Sequence, residues 1–97
     1  MSPGPYRVIW KRSAVEIDLA AAVVRAITEG YDQTAITRAM ESADRALATN
    51  PNGIGESRPN FERIETFAPL NVRYAVHDDE RLVYVLVLTY TPHRHRG

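Results

Sequence analysis

The chain has 97 residues, 44% of them hydrophobic and 25% charged, and its twelve Lys and Arg balance twelve Asp and Glu. That length suits one domain spanning 1–97 and leaves no room for a second, and the apolar content is well above that of a disordered chain. Without cysteine there are no disulfides, thiolate nucleophiles or Cys-based zinc sites, and zero net charge speaks against a dedicated high-affinity nucleic-acid binder.

Ser2-Pro3-Gly4-Pro5 cannot propagate a helix, because proline lacks a backbone donor and clashes with the preceding turn. Tyr6 to Trp10 alternates loosely and is rich in β-formers, which predicts a first strand. Met1 to Trp10 has neither the charged start nor the apolar core of a signal peptide.

Ser13-Ala14-Val15-Glu16 has the form of a capping box, with the Ser13 hydroxyl and the Glu16 carboxylate each accepting from the other's amide. Behind it Val15, Leu19, Ala22, Val23 and Ala26 fall on one helical stripe, and Gly30 supplies a stop. Asp32 is a candidate N-cap for a second helix, whose buried face is Ile36, Met40, Ala43 and Leu47. Asn50-Pro51 ends it, since a residue before proline is pushed out of the α region. The short link predicts an antiparallel helical hairpin.

Pro51 to Asn60 reads as a loop, and Gly53-Ile54-Gly55 lacks the rest of a phosphate-binding glycine fingerprint, so it is a turn. From Phe61 the period changes to two. A strand over Phe61 to Phe67 is interrupted at Pro69, and Leu70, Val72, Tyr74 and Val76 then alternate with more polar neighbours. His77-Asp78-Asp79-Glu80 makes a turn into Leu82 to Leu88, apolar on both faces as in a central strand and far too short to cross a bilayer. The fold class expected is α+β: an N-terminal strand, a helical hairpin, then a three-stranded antiparallel meander in one mainly antiparallel sheet. The chain is expected to be soluble and cytoplasmic, with no membrane partner.

Several of these residues carry a family likeness. Leu47-(x3)-Pro51, then Gly55-Glu56-Ser57-Arg58, Arg63-Ile64, Pro69-Leu70-Asn71-Val72-Arg73-Tyr74-Ala75-Val76, an acidic turn and Val83-Tyr84-Val85-Leu86-Val87-Leu88 follow one another in this order. The succession resembles the RelE/ParE toxins of type II toxin–antitoxin pairs over nearly the whole chain. The resemblance implies a cognate antitoxin as partner, whose disordered or helical segment wraps the toxin. It implies one of two targets: the ribosome, where RelE-like members cut messenger RNA, or DNA gyrase, which ParE-like members poison. A non-toxic binding module of the same fold is a further alternative, and a second copy of the chain a further candidate partner.

RelE-like members orient the 2′-hydroxyl and offset phosphate charge with Lys and Arg side chains, often beside Tyr or His. The likeness places Arg73, with His93 or Arg94, as candidate catalytic residues, and Arg58, Arg63, Asn71 and Arg81 as candidate substrate- or partner-binding residues. The paired lysines of that enzyme type have no equivalent, since Lys11 is the sole lysine, and no tyrosine follows Tyr90. The same arginines also read as solvated sheet charges pairing with Glu62, Glu65 or Asp78. No cofactor or metal is expected: His93-x-His95 has metal-ligand spacing, but a chain terminus does not hold it rigidly. An exposed apolar groove on the helical hairpin would favour the binding readings, and a concave basic site on the sheet would favour the nuclease.

Overall fold

A computed structural model describes residues 5–30 and 33–91 of the chain. Strand β1 (Arg7–Trp10) leads into a π-helical segment (Ala14–Leu19), helix α1 (Ala20–Thr28) and helix α2 (Gln33–Thr49). Strands β2 (Glu56–Arg58), β3 (Glu62–Phe67), β4 (Leu70–His77) and β5 (Leu82–Tyr90) follow. They form one sheet in the order β1-β5-β4-β3-β2. All neighbours are antiparallel except β1, which runs parallel to β5 with Trp10 opposite Val85. The architecture is the expected α+β arrangement, with one short strand, β2, inside the stretch expected to be loop.

One side of the sheet is covered by the helices. Leu47 and Ala43 of α2 and Ala14 of the π segment are buried against Val72, Tyr74, Val83 and Val85. A second cluster joins Ala22 and Ala26 of α1 to Ile36 and Ala39 of α2 and to Leu70, so the two helices pack on each other as well as on the sheet. The hairpin closes at Gly30, whose φ of +97° takes the left-handed position after α1. Asp32 lies outside the described residues.

Local patterns depart from the sequence reading at the start of the first helix, in β5 and at Phe61. Ser13 has helical dihedrals and makes no capping bond, because the helix already begins at Lys11, whose carbonyl accepts from Val15 N–H at 3.2 Å. Glu16 instead pairs with Arg12, 3.2 Å away. The wider π turn then moves the buried phase: Ala14, five residues before Leu19, enters the core, while Val15 is left 38% exposed.

In β5 the alternation slips by one residue. Arg73 pairs with Val87 but Tyr74 with Val85, so Leu86 is the extra residue of a β-bulge. Val83 and Val85 are buried before it and Leu88 after it, so the run is apolar at both parities. Phe61 is not part of β3; it occupies a left-handed turn (φ +63°) beside Asn60 (φ +67°).

Candidate functional site

The uncovered side of the sheet is built by β-strand alternation. With Leu70, Val72 and Tyr74 buried under the helices, Asn71 and Arg73 must project from the other face. Register sets Arg73 between Ile64 and Val87, and Asn71 between Thr66 and Thr89. Ile64, Asn71, Arg73, Val87 and Thr89 line a shallow cleft of about 240 Å³. Asn71 Oδ1 accepts from the Thr66 hydroxyl at 2.5 Å, and Arg73 Nε lies 3.5 Å from Glu62 Oε1. This lining holds a guanidinium and an amide but no carboxylate, histidine or tyrosine. It can hold an anionic oxygen, but it contains no group to exchange a proton near neutral pH.

Arg63 is on the opposite face, because it pairs across the ladder with buried Tyr74. Its guanidinium donates to Ile54 O (2.9 Å), Gly55 O (3.0 Å) and Ser57 Oγ (3.0 Å). Glu65, two residues on, accepts from Gly55 N–H at 2.8 Å, and the Tyr74 hydroxyl lies 3.0 Å from both Pro51 O and Ile54 O. Burial pushes the Tyr74 phenol up from its ordinary value. These three side chains fasten the glycine-containing loop to the sheet.

Arg81 is also engaged locally: it occupies the left-handed position after Asp78–Glu80, and its guanidinium stacks 3.9 Å from the centre of the Tyr6 ring. Beside it the Tyr6 hydroxyl donates to Asp78 Oδ1, which also accepts from Asn52 Nδ2 at 2.8 Å. The hydrogen bond from Tyr6 is the main cause that holds the Asp78 carboxyl below its ordinary value, and the same bond raises the Tyr6 phenol.

The helical hairpin carries a second candidate surface. On α1 and the π segment, Ile17, Val24 and Ile27 are 65%, 65% and 52% exposed, with Ala20 and Ala21 between them also exposed. The inward stripe of this helix is already buried, so these aliphatic side chains form a separate apolar face left in water. The segment reads Ala-Ala-Ala-Val-Val-Arg-Ala-Ile-Thr, apolar nearly all round. That all-round apolar character is the mark of this face in the sequence, and a single buried stripe does not contain it.

No protein-family model matches the sequence, and no curated protein matches it. Among solved structures, a chain of the toxin–antitoxin complex RelBE2 from Mycobacterium tuberculosis is similar with a TM-score of 0.69 at 18% identity, over 92% of this chain and 94% of that one. A chain of the chromosomal ParDE toxin–antitoxin system from P. aeruginosa is similar with a TM-score of 0.65 at 17% identity, over 90% and 97%. The chain has the RelE/ParE fold.

On this RelE/ParE sheet the arginines expected to work together are dispersed. Asn71 and Arg73 share the open cleft. Arg58 projects from the same face two strands away, opposite Glu62, and lies 3.7 Å from Glu56. Arg63 and Arg81 serve the loop and the turn, and His93 and Arg94 lie outside the described residues. Among the described residues no group of three or more His, Asp or Glu is placed to hold a metal ion, and no helix is long and apolar enough to cross a membrane.

Proposed function

We propose that this chain is the toxin-like component of a type II toxin–antitoxin pair, neutralised by a cognate antitoxin and acting on translation or on DNA gyrase. The observation that carries the reading is the exposed aliphatic face of Ile17, Val24 and Ile27, on a fold shared with chains of RelBE2 and ParDE complexes. An amphipathic antitoxin segment laid along α1 would remove those side chains from water. Each fully buried aliphatic side chain contributes roughly 1.5–3 kcal/mol, so three of them supply a substantial part of a tight complex.

A ribosome-dependent ribonuclease is the second reading, and the shared cleft of Asn71 and Arg73 is what favours it. Arg73 would then offset phosphate charge, and the proton-transfer groups would come from outside the cleft.

Tightly controlled induction of the chain alone in a bacterial host tests both readings, with intact and Arg73→Ala forms compared side by side. Arrest by the intact form is expected. Relief by Arg73→Ala would assign the effect to the arginine cleft and the nuclease reading, whereas arrest by both forms would direct attention to gyrase. Unimpaired growth with soluble, folded protein would overturn the toxin reading and leave a non-toxic binding module.

A further inference from the structure

We propose that the free edge of β2 is a self-association site, where a second copy of this chain pairs antiparallel about Ser57. The strand ends the sheet: β3 pairs with one of its edges, and no strand among the described residues pairs with the other. All three of its residues are exposed. An open edge is a template for a further strand, and about a two-fold axis each residue of the strand faces the one placed symmetrically beyond the axis, so the pairing is favourable only where those two residues are complementary.

Glu56-Ser57-Arg58 meets that condition. With Ser57 opposite its own symmetry mate, Glu56 of each copy lies directly across from Arg58 of the other, on the same face of the sheet. The charges already present run towards this arrangement. Arg73 of β4 lies 3.5 Å from Glu62 of β3, and Glu62 pairs across the ladder with Arg58 of β2. The row therefore alternates positive, negative, positive as it reaches the edge, and the second copy's Glu56 is its next member. In the single chain the Arg58 guanidinium donates to the Ser57 carbonyl at 3.1 Å, and its nearest carboxylate is Glu56 of its own strand, at 3.7 Å. Opposite charges directly across a strand pair attract, and like charges repel by a similar amount.

Three paired residues bury little area, and the apolar contribution comes from Phe61. Its ring is 91% exposed, held in a left-handed turn three residues beyond Arg58, and it lines a cleft of about 480 Å³ together with Ser57, Arg58 and Val76. Knob and cleft lie side by side at the same edge, so each copy offers both to its mate. This surface is separate from the α1 face and stands or falls independently of the toxin reading.

Sedimentation equilibrium of the full chain across a concentration series tests the proposal. The expected result is a reversible monomer–dimer equilibrium with a dissociation constant between about 10 µM and about 1 mM, the range suited to a small interface. Glu56→Arg and Arg58→Glu each place like charges across both symmetry-related pairs, and each should weaken association by about tenfold or more. The double reversal E56R/R58E restores complementarity and should return the affinity to within about threefold of the intact chain. Phe61→Ser should weaken it as well. All of these residues are exposed, and circular dichroism establishes that each variant is folded. A chain that stays monomeric throughout would overturn the proposal. So would a double reversal as weak as the single ones, or a dimer lost with Val24→Glu yet indifferent to both charge reversals.

Discussion

Gly55 has φ +76°, and a Cβ built there would stand 2.8 Å from both the Ile64 carbonyl oxygen and the Tyr74 hydroxyl. Gly30 is also left-handed, at φ +97°, but nothing lies within 4 Å of its would-be Cβ. The two sites separate backbone strain from crowding. Gly30→Ala meets only the conformational penalty, about 1 kcal/mol, whereas Gly55→Ala adds a clash with a ladder carbonyl and should cost about 2–4 kcal/mol. Urea unfolding monitored by circular dichroism checks this through the midpoint, with the slope unchanged. Equal losses at the two sites would show that the loop gives way and that Arg63, Glu65 and Tyr74 do not hold it. The turn at Gly53-Ile54-Gly55 was legible from composition. The role of Arg63 was not, because its acceptors are carbonyls eight and nine residues earlier that only the β2–β3 register brings within reach.

Elements show a different kind of gap between pattern and structure. α2 and β4 are plain in the sequence because each buries one face: Ile36, Ala43 and Leu47 in the first, with Ala39 buried beside them and the expected Met40 only partly so, and Leu70, Val72 and Tyr74 in the second. The first helix and β5 each carry one irregular insertion, a π segment and a bulge; in the helix Leu19, Ala22, Val23 and Ala26 pack inward as the fixed period expects, while Val15 falls out of phase across the π turn. The two insertions meet. β1 reaches only as far as Val85 along β5, and further on Asp18 of the π segment accepts from Leu88 N–H at 3.1 Å. A side chain thus replaces the missing strand neighbour for that amide, and the irregular helix is what carries the carboxylate there. Asp18→Ala should cost about 1–2 kcal/mol by leaving a part-buried donor without its acceptor. Asp18→Asn keeps an acceptor and should recover most of the loss. Thermal melts of the three forms decide it, and the exchange rate of the Leu88 amide should rise in the alanine form alone. Unchanged exchange in that form would mean the contact contributes nothing to the edge.

For the molecule as a whole, the pairing hardest to foresee is β1 with β5, because it joins the first strand to the last and nothing local encodes it. The structure reinforces it with a cluster from three remote segments: Tyr6 before β1, Asn52 after α2 and Asp78 after β4. The cluster is exposed, so its contribution is modest, but its pH dependence has a definite sign. Asp78 titrates below its ordinary 3.8 in the folded chain, chiefly because Tyr6 and then Asn52 donate to the carboxylate. Its contribution is complete above the unfolded value, declines as pH falls below it, and is gone once the folded value is passed. Tyr6 is displaced upward from 10.0, with the bond to Asp78 as the largest cause, so its share is complete below 10.0 and is lost as pH rises through the folded value. Asp78→Ala should therefore lower the melting temperature most between about pH 5 and about pH 9, with the gap from the intact chain narrowing on both sides. Melting curves of the two forms across that range and beyond measure the gap directly. A gap that stayed constant down to about pH 2 would mean the carboxylate charge takes no part in closing the first strand onto the last.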